Sequence, residues 1–195
     1  IKLEQAGKSC LMKNEDRMKL NGKTIFGKKV LILGETGSGK TKLAARLLKE
    51  LTTLVDPEKI TVIDLAPRKV GTIGGKLIDY VNVSSKVRYL SPKNVYTPRL
   101  AGRSREQVLH YARLNKKNME PLLNMFIQNP TEALIINDIT LYLHLGKLQT
   151  ILDCVALAKT VVTTAYYGLR LANDLGTGIS AKERQLTDKL AKFLD

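Results

Sequence analysis

Short apolar runs alternate with stretches of helical periodicity along most of this chain. Val30 to Leu33 is a continuous apolar run, and Leu43, Ala44, Leu47, Leu48 and Leu51 follow it at the spacing of a buried helix face. The same unit recurs. Lys59 to Leu65 (KITVIDL) reads as a second buried strand, and Val87 to Leu90 as a short third. A long helix is expected to run from Ser104 to about Gln128, then a strand over Ala133 to Asp138 (ALIIND). A helix over Leu148 to Ala158, a strand over Lys159 to Ala165 (KTVVTTA) and a final helix complete the set. Strands that are apolar throughout belong in parallel sheets covered on both faces. The pattern therefore predicts an α/β fold of three layers, a mainly parallel sheet of about five strands with helices on both faces.

Local signals set the boundaries. Met18 to Phe26 alternates apolar and polar residues around Asn21-Gly22, which predicts a small β-hairpin. Residues 1–27 are thus expected to form a lead-in and hairpin, and residues 28–195 the main domain. Asp56-Pro57 ends the first helix, and Lys76 to Val81 suits a short helical turn. Ser104 is placed to cap the long helix with Gln107 in the reciprocal position, and Pro121 is expected to bend or interrupt it. Ser180 with Glu183 has the form of a capping box for the last helix, whose buried stripe would be Leu186, Leu190 and Phe193. Leu141 to Lys147 reads as an apolar loop in which His144 is structural, and residues 166–178 as a glycine-containing loop.

Between the first strand and its helix lies the sequence Gly34-Glu35-Thr36-Gly37-Ser38-Gly39-Lys40-Thr41, which fits GxxxxGK[ST] at every fixed position. The glycines allow turn conformations in which successive N–H groups face inward around an anion. That ring opens a helix, whose unpaired N–H groups and positive dipole end add to the attraction. Lys40 can reach the β- and γ-phosphates, the Thr41 hydroxyl can ligate Mg²⁺, and Lys42 extends the phosphate-facing set by one residue. Asp138 ends the apolar run ALIIND, the arrangement in which a strand holds a carboxylate beside the phosphate loop, as a ligand for Mg²⁺. Together they point to ATP and Mg²⁺ as bound species, with Lys40 and Asp138 catalytic. ATP is favoured over GTP because no Asn-Lys-x-Asp run occurs.

Other polar groups fall near the same edge. Asp64 ends the second buried strand, where it can position water, metal or an acceptor hydroxyl, or cap the turn that contains Pro67. Asn137 and Thr140 flank the strand-end acid, either to orient water or phosphate or as turn-forming side chains. Thr163 and Thr164 close the last strand, where a resemblance to P-loop NTPases implies a polar residue that senses the γ-phosphate. Arg99, Arg103 and Arg105 crowd the entrance to the long helix, where they can meet phosphates, complete a neighbouring subunit's site, or simply be surface charge. Arg170 and Arg184 are secondary candidates for phosphate contact.

On these motifs the chain resembles the P-loop NTPases, and in its order of elements it is similar to the FtsK/HerA-type motor ATPases. That resemblance rests on Asp64, Pro67, Arg68 and Lys69 after the second buried strand, besides the two phosphate motifs. It implies the P-loop NTPase fold, hydrolysis of the β–γ bond of ATP, rings that act on DNA, and an arginine from one subunit completing its neighbour's site. The residue after Asp138 is Ile139 rather than the glutamate such motors carry, so either Asp64 or another acid takes that catalytic role or turnover is slow. The LSGGQ signature of ABC ATPases is absent. Asp138-Ile139-Thr140-Leu141 also looks like small-molecule kinases, in which Asp64 would take a proton from an acceptor. A nucleotide-gated switch with little turnover is the third reading.

Composition narrows the partners. The chain has 195 residues and is 44% hydrophobic, enough for one domain with a real core. Thirty-two Lys and Arg against eighteen Asp and Glu leave a formal charge of +14, which would draw nucleic acid or another polyanion, although basic residues also furnish ordinary solvated surfaces. A homo-oligomer is a further expectation from the motor resemblance. No apolar run reaches the roughly 18 residues of a membrane span. Cys10 and Cys154 lack metal-ligand spacing, and the first stretch from Ile1 has no signal-peptide pattern, so a reducing, cytoplasmic location is expected.

Overall fold

The computed structural model describes residues 20–69 and 75–195, and the backbone of residues 2–3. Six strands form one sheet: β1 (Lys2–Leu3), β2 (Lys29–Gly34), β3 (Ile60–Asp64), β4 (Arg88–Leu90), β5 (Ala133–Asn137) and β6 (Thr160–Tyr166). Their order is β1-β2-β6-β5-β3-β4, and every neighbouring pair is parallel. The expected α/β fold is present. The strand beyond the anticipated set is the two-residue β1, which pairs Lys2 with Leu33 and Leu3 with Gly34 at one edge.

Helices cover both faces: α1 (Gly22–Ile25), α2 (Lys40–Leu51), α3 (Pro98–Ala101), α4 (Arg105–Gln128), α5 (Thr140–Leu143), α6 (Leu148–Leu157) and α7 (Ile179–Leu190). Alternate strand residues point to opposite faces, which divides the core in two. Val30, Ile32, Ile60, Val62, Ile135 and Val162 pack under Ile25 of α1 and Ala44, Leu47, Leu48 and Leu51 of α2. Leu31, Leu33, Ile63, Leu134, Ile136 and Val161 pack against Met119, Leu123 and Phe126 of α4, with residues of α5, α6 and α7. Burial on both sides is why these strands read as unbroken apolar runs.

Parallel pairing brings the carboxyl ends of the central strands to one edge. Asp64 pairs with Asn137, Ile136 with Thr163, and Gly34 with Tyr166. Because β6 lies between β2 and β5, the phosphate loop after β2 faces the end of β5 across the threonines of β6.

Four local expectations are corrected. The described part of the Met18–Phe26 segment is not a hairpin: Gly22 to Ile25 form α1, and residues 18–19 lie outside the described residues. Asn21 and Thr24 cap each other reciprocally, at 3.0 and 2.9 Å, and Gly22 lies so close to α2 that a Cβ would stand 2.8 Å from Glu50 Cβ. Packing against α2 thus overrides the turn preference of Asn-Gly. Ser180 does not cap α7; Gly178, at φ 80°, precedes the helix, and Glu183 turns inward to Arg99 and His144 instead. Phe193 is exposed, and the buried positions of α7 are Ile179, Glu183, Thr187 and Leu190. Residues 140–143 are a helical turn rather than a loop. The Ser104 hydroxyl accepts the Gln107 N–H and caps α4 as expected, while the Gln107 side chain accepts the Arg103 N–H instead of that of Ser104, and the helix continues through Pro121 without an interruption.

Candidate nucleotide site

Gly37 and Gly39 adopt φ of 71° and 87°, the left-handed region that favours glycine, so the loop curls back on itself before α2 begins at Lys40. Lys40 Nζ donates to the carbonyls of Gly34 at 2.8 Å and Glu35 at 2.7 Å. An ammonium carries three N–H bonds, so this bracing leaves one for a ligand. Burial lowers the pKa of Lys40, against the opposing pull of Asp138 and Glu35. Thr36, Gly37, Gly39, Lys40, Thr41 and Lys42 line one wall of a pocket of about 300 Å³, and Asp138, Thr140 and Thr164 line the facing wall.

The end of β5 splits its two polar residues between tasks. Asn137 is fully buried, and its amide oxygen accepts from Thr41 Oγ1 at 3.4 Å and from Thr164 Oγ1 at 3.0 Å. Its amide nitrogen donates to Asp64 Oδ1 at 2.9 Å. Asp138 follows at φ 60°, a left-handed position that aspartate tolerates better than most residues. Its N–H is held by Thr164 Oγ1 at 2.8 Å, and its Oδ1 is closed off from solvent with no hydrogen-bond partner among the described residues. Burial raises the Asp138 pKa, with Lys40 pulling the other way. The residue in contact with Thr41 is therefore Asn137, while Asp138 is the acid electrostatically paired with Lys40.

Asp64 is wholly buried. Its carboxylate accepts from the N–H groups of Ala66 at 3.3 Å and Leu77 at 2.7 Å, from the Tyr89 hydroxyl and from Asn137. Burial, and the Asp64 carboxylate beside it, push the Tyr89 hydroxyl pKa upward. Asp64 thus fastens the turn before Pro67 and holds Asn137 in place.

Glu35 reaches the loop after β6. Its carboxylate accepts the N–H groups of Leu169 and Arg170 at 3.3 and 3.2 Å, tying the phosphate loop to the loop after β6. Burial would raise its pKa, but hydrogen bonds from Tyr166, Arg170 and Leu169 outweigh that and hold it below the usual carboxylate value. Ser38 is buried, with a hydroxyl that has no partner among the described residues.

Beyond Asp138 lies a group of charges that residue spacing did not assemble. Arg99 of α3 and His144 line the same pocket, and both bond to Glu183 of α7. A signal for Glu183 was present: it shares a helical face with Ile179, Thr187 and Leu190, so a charge sits on the buried stripe. Arg105 bonds to the Gly176 carbonyl and Arg184 to that of Gly168, so these two brace the loop after β6. Thr163, next to Thr164, is buried without a partner for its hydroxyl among the described residues.

Among the described residues no group of three or more His, Cys, Asp or Glu forms a metal cage, and no helix is long and apolar enough to cross a membrane. The profile of the family described as Helicase HerA, central domain, matches residues 7–187. No curated protein matches the chain.

Proposed function

Since the chain belongs to the HerA helicase central-domain family, a P-loop ATPase domain of the FtsK/HerA type, we propose that it binds ATP with Mg²⁺ and hydrolyses the β–γ bond. The observation that carries this reading is the convergence of Lys40, Thr41 and Asp138 on one pocket from two different strand ends.

The phosphates would lie in the curl from Gly34 to Thr41, on the N–H groups of Gly37, Ser38 and Gly39 and the remaining N–H of Lys40. The residues present fit a magnesium ion that travels with the nucleotide. Such an ion takes most of its ligands from phosphate and water, so Thr41 Oγ1 and the buried, unpartnered oxygen of Asp138 suffice without a protein cage. When bound, the ion neutralises charge on the β- and γ-phosphate oxygens.

A water oxygen forms a bond to the γ-phosphorus, the bond from that phosphorus to the bridging oxygen breaks, ADP leaves with the bridging oxygen, and the proton of the water leaves with the released phosphate or solvent. Asp138 serves this step by holding the metal. Asn137 and Asp64 orient the metal-side threonine from behind. Asp64 acts in this reading as a positioning residue, since its carboxylate is already engaged by four donors.

The formal charge of +14 supports a polyanionic partner, and nucleic acid is the one proposed. Phosphate release from Mg-ATP, measured alone and with DNA or RNA, tests both parts. Release that depends on Lys40 supports the hydrolase, and stimulation by nucleic acid supports the partner. Consumption of ATP only with a small acceptor would replace the hydrolase by a kinase.

A further inference from the structure

Arg99 and Glu183 form an ion pair that the fold conceals. Arg99 Nη2 lies 2.9 Å from Glu183 Oε2, and both side chains are only 5% exposed. Burying such a pair seldom stabilises a protein more than apolar packing would. Its position explains why it is there.

Arg99 lines the pocket that Lys40 and Asp138 share. The guanidinium lies over the Tyr166 ring, 5.1 Å from its centroid, and Nη1 donates to Ser180 Oγ at 3.3 Å. Glu183 Oε2 is shared with His144 Nε2 at 2.8 Å. His144 is fully buried and its Nδ1 has no hydrogen-bond partner among the described residues. One carboxylate oxygen therefore serves two donors, and a second fixed cation faces a cavity already built for a polyanion. A guanidinium has five N–H donors in a planar fork suited to phosphate oxygens, more than Ser180 and Glu183 take up.

We propose that Arg99 reads the terminal phosphate of a triphosphate bound in its own chain, and that Glu183 is the latch holding it when that phosphate is absent. The inference rests on the nucleotide-binding reading above and adds the group that separates ATP from ADP. A buried Arg99 with an intramolecular partner is not a group offered to a neighbouring subunit. Its guanidinium moves toward the γ-phosphate and loosens its hold on Glu183, which keeps His144. Arg99 sits on α3 and Glu183 on α7, so nucleotide state is passed to two surface helices.

The test compares binding of Mg-ADP and of a non-hydrolysable Mg-ATP analogue by calorimetry on the purified protein. Losing a charge-assisted hydrogen bond costs about 1.5–3 kcal/mol, or roughly tenfold to a hundredfold in affinity. Arg99→Gln is expected to reduce the preference for the triphosphate by that factor, and Glu183→Gln, which frees the guanidinium, to increase it. A preference unchanged in Arg99→Gln overturns the inference. If that variant does not fold, Glu183→Gln decides: a raised preference supports the latch and an unaltered one overturns it. Wild-type protein that binds neither nucleotide would instead overturn the nucleotide site itself.

Discussion

Thr41 and Asn137 meet across the phosphate loop at 3.4 Å, the threonine hydroxyl donating to the amide oxygen. The neutral amide stands beside the hydroxyl that would hold the metal, while the acid stands one residue further on. Asn137→Asp would remove the donor to Asp64 and set two buried carboxylates against each other. We expect the nucleotide-free variant to lose about 1–3 kcal/mol of stability, the cost of an unsatisfied buried group. Magnesium with an ATP analogue should restore part of it. Thermal denaturation with and without the ligand measures both, and an unchanged melting temperature would dismiss Asn137 as the hub of the site.

Asp138→Asn separates stability from turnover. The folded-state pKa of Asp138 lies above the ordinary aspartate value, so the folded state binds more protons than the unfolded state between the two pKa values. Its contribution to stability therefore falls as pH rises through that window. Above the window the ionised form is a net burden, which asparagine removes while tolerating the left-handed backbone. The nucleotide-free variant should melt higher than wild type at neutral pH, with the gain fading at pH below the ordinary aspartate value, and phosphate release should be lost. Melting curves across pH read the first part and phosphate release from Mg-ATP the second; undiminished release in Asp138→Asn would remove Asp138 from the metal site.

Lys40→Ala should leave the fold intact, because the hydrogen bonds of the side chain run to two backbone carbonyls of its own loop. Nucleotide binding should fall by at least about tenfold, the loss of one charge-assisted hydrogen bond to phosphate. Titration with a fluorescent nucleotide reads this directly. Undiminished binding would mean that the loop is not the phosphate site.

Gly168 and Glu35 should behave as one unit. A Cβ at Gly168 would stand 1.7 Å from Glu35 Oε1, so Gly168→Ala must displace the carboxylate and break its bonds to Leu169 and Arg170. The loss should be about 1–2 kcal/mol, within the range for a few hydrogen bonds near the surface. Glu35→Ala removes the same bonds, so the double variant should be no worse than either single one. Additive losses in chemical denaturation would show that the contact does not couple the two loops.

The order of apolar runs and helical stretches was enough to determine the parallel α/β sheet, because strands buried on both faces leave an unmistakable one-dimensional trace. The turn at Gly37 and Gly39 was equally legible, since it is local: backbone dihedrals within a single loop. Long-range contacts decided the rest. Asn21-Gly22 became a helical turn because α2 packs against Gly22, and Glu183 left its capping place because Arg99 and His144 are buried beside it. Asn137, rather than Asp138, reached Thr41 because parallel register aligns the end of β5 with Asp64 and the chain then turns at φ 60°. Such facts depend on charges and hydrogen bonds between residues far apart along the chain, and those partners are chosen only when the sheet brings its strand ends together.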